Sequence, residues 1–192
     1  RSEDNLHIGG VCRSNALIAS IMGYTFIAAA PEKAEILPED LALVEANNAI
    51  SGGKYIKTDD PYKYASEVDF IFTDAWWYHG SDYLKDYKIE EFYPKYAVND
   101  GLIAACPDWV KVMHPLPGNR GYEISEDVWD GPHSLLMEQA ANRFHTQKGL
   151  LATFMYPRAR EQKRALVDYY TAQIEQRLTQ TIDKVAGTHY DA

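Results

Sequence analysis

The 192-residue chain is poor in the residues that build several common kinds of site. Its two cysteines, Cys12 and Cys106, are too few for a disulfide framework, and no Cys/His spacing suits a metal. Lysine and arginine total 19 against 28 acids, a formal charge of -9, and no basic cluster is dense enough for a nucleic-acid surface. Such a charge favours solubility, and an anionic ligand must be drawn in by local arginines against the overall field. No apolar run approaches the roughly 20 residues of a membrane span. No signal-peptide pattern opens the chain, so the expected compartment is the cytoplasm, with neither nucleic acid nor membrane as partner. A dinucleotide glycine fingerprint and a phosphate-binding P-loop are both missing, which argues against a nucleotide-binding domain. There is no internal repeat or low-complexity linker.

What is present is a globular composition, 46% hydrophobic, around one conspicuous stretch, Lys111-Val112-Met113-His114-Pro115-Leu116-Pro117-Gly118-Asn119-Arg120-Gly121. A short apolar run ends in an imidazole, two prolines, two glycines and a guanidinium. This reads as a buried strand opening into a stiff loop, and in α/β proteins ligands bind at the carboxyl ends of strands. The prolines hold the backbone around Leu116 before any ligand arrives. The alternative is a tight structural turn with an incidental histidine.

The rest of the chain alternates strand and helix patterns. Strands are expected at 6–8, 24–30, 54–57, 68–74, 111–114 and 134–137. Residues 54–57, alternating with lysine, suit a sheet edge. Helices are expected at 14–22, 37–50, 100–106, 138–155 and 158–185, with shorter turns near 60–65, 89–92 and 126–129. The pattern predicts an α/β, three-layer Rossmann-like domain with a mostly parallel sheet of five to six strands, followed by a long C-terminal helix. Pro157 marks the expected boundary between a domain at 1–157 and a tail helix at 158–192.

Several residues outside the central stretch can carry chemistry. Asp74 ends a strand and is followed by Trp76, Trp77, Tyr78 and His79, so a carboxylate for a cationic amine stands beside aromatic walls; a capping acid beside core aromatics is the alternative. Gly9-Gly10-Val11-Cys12-Arg13-Ser14-Asn15 joins the first strand to the first helix; it is either an anion-receiving turn or a plain connection. Cys12 beside Arg13 is either a reactive thiol or a small semi-buried one. Arg143, early in its helix, is poorly placed for the helix dipole and suits either a phosphate or an ion pair with Glu138. The tail carries Tyr170, Ile174, Leu178, Ile182 and Val185 as one apolar stripe, packing on its own domain or on a neighbouring subunit.

Taken in order, these pieces resemble the C-terminal, amine-binding domain of the aspartate/ornithine carbamoyltransferase family. His114-Pro115-Leu116-Pro117 looks like the family's His-x-Leu-Pro loop, and Gly118 through Val128 is similar to its continuation in the ornithine and putrescine branch. Thr73-Asp74-Ala75-Trp76 and Glu138 through Arg143 resemble two further family motifs in the same order. The likeness is nearest the putrescine enzymes, through residues 92–99, Val11 through Ser14 and the tail helix.

The resemblance implies attack of a neutral primary amine, putrescine or ornithine, on the carbonyl carbon of carbamoyl phosphate, with phosphate leaving and no metal or other cofactor taking part. It implies that His114, Asp74 and Arg143 are catalytic: His114 polarises the carbamoyl region, Asp74 orients the amine and Arg143 binds carbamoyl phosphate. Pro115, Leu116, Pro117, Arg120, Asn15, Trp76, Tyr78 and His79 are implied as substrate-binding. A homotrimer, or a multiple of trimers, is implied as the assembly. Three departures from the family pattern stand out. The phosphate-binding Ser-x-Arg-Thr segment, which belongs to an N-terminal carbamoyl-phosphate domain, is not in this chain. Pro115 replaces the cysteine usual in the ornithine branch. Trp77-Tyr78-His79-Gly80 replaces the segment that holds ornithine's α-groups, which favours putrescine. The alternatives are aspartate as acceptor, or a non-catalytic binding or regulatory module.

Overall fold

The computed structural model describes residues 9–77, 80, 82–155, 167–176 and 179. Helices and parallel strands alternate, as the α/β expectation requires. Helix α1 (Gly10–Met22) leads to β1 (Thr25–Ala29), α2 (Pro38–Ser51) crosses back to β2 (Lys54–Thr58), and β3 (Phe70–Phe72) follows. Helices α3 (Lys85–Phe92) and α4 (Asp100–Ala104) separate β3 from β4 (Lys111–Met113). Helices α5 (Glu126–Asp130) and α6 (Leu136–Met155) close the order.

The first helix begins at Gly10, one turn earlier than its expected start at Ser14. The Gly9 carbonyl accepts from the Arg13 N–H at 3.1 Å, and the Ser14 hydroxyl bonds back to the Gly10 carbonyl inside the first turn instead of capping it. Gly23 and Gly52 end α1 and α2 in the left-handed conformation that glycine adopts without steric cost. At α4 the Asn99 side chain accepts the Leu102 N–H at 3.0 Å and caps the helix.

The sheet departs from the expectation of five to six strands. Among the described residues β1 pairs with β2 and β3 with β4, both parallel, as two separate two-stranded sheets. The expected strand at 6–8 lies outside the described residues. At 134–137 the chain makes only a single bridge, Ser134 to Val112. Leu135 donates to the Val112 carbonyl, but its own carbonyl already accepts from the Gln139 N–H and starts α6. Strand β2 pairs only with β1 among these residues, in keeping with an edge position.

The chain divides into two compact units, 1–142 and 143–192; the expected boundary at Pro157 lies outside the described residues. In the first unit the largest core cluster gathers Ala65, Val98, Leu102, Val112, Ile124, Val128, Trp129 and Leu136, with Leu116 packed against it. This core therefore lies directly beneath the loop that follows β4. A smaller core of Ala16, Ile36 and Val44 joins α1 to α2. In the second unit, residues 167–176 are helical, and Tyr170 and Ile174 of the apolar stripe are exposed. Leu178, Ile182 and Val185 lie outside the described residues. Among the described residues no helix is long and apolar enough to cross a membrane.

Candidate functional site

Strands β3 and β4 run side by side in register, Phe72 beside Met113, so Asp74 and His114 leave the same edge of the sheet. The Thr73 N–H still bonds the Met113 carbonyl at 3.2 Å, which carries the pairing to the threshold of both loops. Asp74 accepts the Ala75 N–H at 2.8 Å. A Cβ on Gly9 would stand 3.6 Å from Asp74 Oδ2, so the start of α1 lies against this carboxylate. Asn15 follows in α1, half-buried.

Cys12 belongs to the same corner. Burial first, and the Asp74 charge second, push its thiol from 9.0 up to about 11. Arg13, the residue that would activate it, is instead paired with Asp40. The reactive reading of Cys12 therefore gives way to a half-buried, protonated thiol. A folded-state value above the unfolded one favours the native state below pH 9, and that contribution is lost as pH rises through about 11. At pH 8 Cys12 should react with iodoacetamide roughly a hundredfold more slowly than an exposed cysteine. Mass spectrometry of a timed alkylation tests this, and labelling as fast as in the unfolded chain refutes it.

The loop after β4 has an unusual balance of donors and acceptors. Pro115 and Pro117 lack an N–H. The His114 N–H donates to Gln139 Oε1 at 2.9 Å, and the Leu116 N–H donates to His114 Nδ1 at 2.9 Å. The Asn119 N–H donates to Glu123. Among the described residues, no hydrogen bond engages the carbonyls of residues 114–118. Nearly every donor here is absent or occupied, while the carbonyls accept no hydrogen bond; with His114 buried, those of the partly exposed residues 115–118 suit a ligand rich in N–H groups. Leu116 holds this shape at φ 53, a left-handed conformation that costs a non-glycine residue on the order of 1–3 kcal/mol and persists where neighbours over-determine it.

The His114 ring is buried, only 1% exposed, and lies 5.9 Å from the Trp129 ring. Its Nδ1 accepts from Leu116, so its proton sits on Nε2, which lies 3.5 Å from Glu123 Oε1. In this arrangement the His114 ring is held against the Leu116 backbone and buried, so it presents no surface to a ligand. That differs from the direct contact with the carbamoyl group implied by the resemblance.

The aromatic segment after Asp74 folds onto this loop. Asn119 Nδ2 donates to the Trp77 carbonyl at 3.2 Å, and Trp77 meets Tyr122 edge-on with centroids 5.0 Å apart. Trp76 stacks on Phe92 at 5.5 Å. Lys85 Nζ lies 5.5 Å from both the Trp77 and Tyr122 rings, within cation–π range.

Arg120 is placed differently from a pocket arginine. Its guanidinium pairs with Glu126 and Asp130 and lies over the Trp129 ring at 5.3 Å, so its charge is already engaged at the surface. Arg143 belongs to the second unit, where it is exposed. Tyr78 and His79 lie outside the described residues. Two important contacts escaped the sequence reading. Gln139 orients the His114 backbone, and Glu123 faces its ring. The available signal for Glu123 was a lone acid between Tyr122 and Ile124 in an otherwise apolar step.

The family model for the Asp/Orn binding domain of aspartate/ornithine carbamoyltransferase matches residues 7–154. The chain is similar to ornithine carbamoyltransferase of Methanosarcina acetivorans, 40% identical over 149 residues, covering 76% of this chain and 46% of that protein. It is also similar to putrescine carbamoyltransferase of Mycoplasma capricolum, 29% identical over 166 residues, covering 86% of this chain and 45% of that protein. Among solved structures, ornithine carbamoyltransferase from Pyrococcus furiosus superposes with a TM-score of 0.68 at 34% identity, covering 73% of this chain and 44% of that one. The chain thus spans about half the length of the curated relatives it matches. Strands, acceptor loop and sequence agree: the chain belongs to the aspartate/ornithine carbamoyltransferase family, as its Asp/Orn-binding domain.

Proposed function

We propose that this domain supplies the amine-binding half of a carbamoyltransferase, which transfers the carbamoyl group of carbamoyl phosphate to a small primary amine and releases phosphate. The observation that carries this reading is the run of carbonyls at 115–118 that accept no hydrogen bond, beginning two residues beyond the end of β4 and beside the strand that delivers Asp74. Such acceptors suit the N–H groups of a carbamoyl moiety and of an attacking amine. Asp74 is the group suited to orient the amine. Catalysis then rests on positioning and on stabilising charge as it develops on the reacting oxygen and departing phosphate. The phosphate-binding groups belong to the family's carbamoyl-phosphate domain, together with Arg143 of this chain. The trimer and the cytoplasmic location are part of the same reading.

Putrescine is placed ahead of ornithine as acceptor. Of the two tryptophans after Asp74, Trp77 is buried, and the half-buried Trp76 is the one suited to an alkyl chain ending in an ammonium group. The similarity to the putrescine enzyme also extends over more of this chain than that to the ornithine enzyme, although at lower identity. The test is a colorimetric ureido assay on the protein carrying this domain, with carbamoyl phosphate and putrescine, ornithine or aspartate in turn. Carbamoylputrescine as the fastest-formed product is expected. Faster citrulline formation would overturn the amine preference alone, whereas absence of product with all three acceptors would overturn the transfer reading.

A further inference from the structure

Glu123 is a fully buried acid to which the transfer reading assigns no part. A buried carboxylate is costly unless donors converge on it; two hydrogen bonds reach Oε1, while Oε2 is left without a partner. Oε1 accepts from the Asn119 N–H and from Asn119 Nδ2 at 3.3 Å, and His114 Nε2 faces it at 3.5 Å. The order of contacts is directional. The Leu116 N–H occupies His114 Nδ1, so Nε2 must carry the ring proton and turn it toward the carboxylate. The opposite tautomer would aim the Nδ1–H at the Leu116 N–H and leave Leu116 without its acceptor.

We propose that Glu123 is the positioning residue of this site, setting the tautomer and orientation of His114 so that Leu116 is held left-handed and the carbonyls of 115–118 are presented to the ligand. The same carboxylate anchors Asn119, whose side-chain amide holds the Trp77 carbonyl. One acid therefore ties the acceptor loop to the aromatic segment after Asp74. Gly118 allows this closeness, because a Cβ there would come within 3.0 Å of His114 Cε1. The ligand in this inference is that of the transfer reading; the side-chain geometry does not depend on it.

The test uses the full chain and two independent readouts. Nitrogen-15 NMR of the wild-type imidazoles should find the His114 proton on Nε2; a proton on Nδ1 overturns the proposal without any variant. Glu123→Gln keeps the size of the side chain but faces His114 Nε2 with an uncharged amide that can turn a donor toward it. Amide exchange at Leu116 should then accelerate on the order of tenfold while exchange in β1 and β2 stays unchanged. Leu116 protection equal to wild type overturns the proposal. In the transfer assay the same variant should lose about a hundredfold in kcat/KM for the amine. If the wild type transfers to no amine yet Leu116 protection depends on Glu123, the positioning role stands and the transfer reading falls. Normal transfer by a variant with disturbed Leu116 exchange overturns the positioning role.

Discussion

Replacing Gly118 with alanine should lower stability by about 1–3 kcal/mol, the range for overpacking a filled core, and should reduce amine turnover further than the lost stability explains. The added Cβ would meet the Trp129 ring at 2.6 and 2.9 Å and His114 Cε1 at 3.0 Å. Neither neighbour has room to yield. Trp129 belongs to the core cluster with Val112, Ile124 and Leu136, and His114 is held by the Leu116 N–H on its ring and by Gln139 on its backbone. The loop itself must therefore lift, carrying away the carbonyls that the ligand needs. Gly121 provides the contrast. It has φ 81 but nothing within 4 Å of an added Cβ, so alanine there meets strain without collision, at about 1–2 kcal/mol and with less effect on turnover. Urea unfolding at constant slope measures the stability change, and the ureido assay measures turnover. A Gly118→Ala protein with an unchanged midpoint and full turnover would show that the close approach is dispensable.

Asp74→Asn should weaken handling of the amine by roughly 10- to 100-fold in kcat/KM, the value of a hydrogen bond to a charged group. The fold should survive, because asparagine retains an oxygen for the Ala75 N–H that Asp74 accepts at 2.8 Å. The same change removes the second of the two causes that push the Cys12 thiol up, while burial, the larger cause, remains. Alkylation of Cys12 should therefore become moderately faster, yet stay well below the rate of an exposed thiol. The two readouts separate local charge from local structure. Loss of turnover with faster but still slow labelling fits removal of a charge. Labelling at the rate of the unfolded chain would mean the α1 corner had opened, and full turnover would remove Asp74 from the amine site.

Much of the frame was legible because it depends on neighbours close in sequence. Glycines at 23 and 52 end helices where a left-handed residue is needed, Asn99 caps α4, and short apolar runs at β1, β3 and β4 make parallel strands. The stiffness of His114-Pro115-Leu116-Pro117 could also be read directly, since proline constrains its own backbone and that of the residue before it. The start of α1 was misplaced because Ser14 has the composition of a cap, whereas its hydroxyl bonds within the first turn. The strand expected at 134–137 failed for a similar reason: apolar residues mark burial, and Leu136 achieves it as the first residue of a helix.

Chemistry at the loop was decided by contacts across the fold. Both Arg120 and His114 looked available to a ligand when considered with their neighbours in sequence. The packed structure gives the Arg120 charge to Glu126 and Asp130, and turns the His114 ring inward toward Glu123. Gln139 reaches His114 from 25 residues away, and Asn119 reaches Trp77 across 42. A chain written in order shows which groups can donate or accept, and which backbone positions are stiff. It cannot show which partner consumes each group, because that depends on side chains brought together by β3, β4 and the core beneath them. The acceptor loop was thus present in the sequence as two prolines and a histidine, but its open face exists only once Gln139, Glu123 and Trp129 have closed around it.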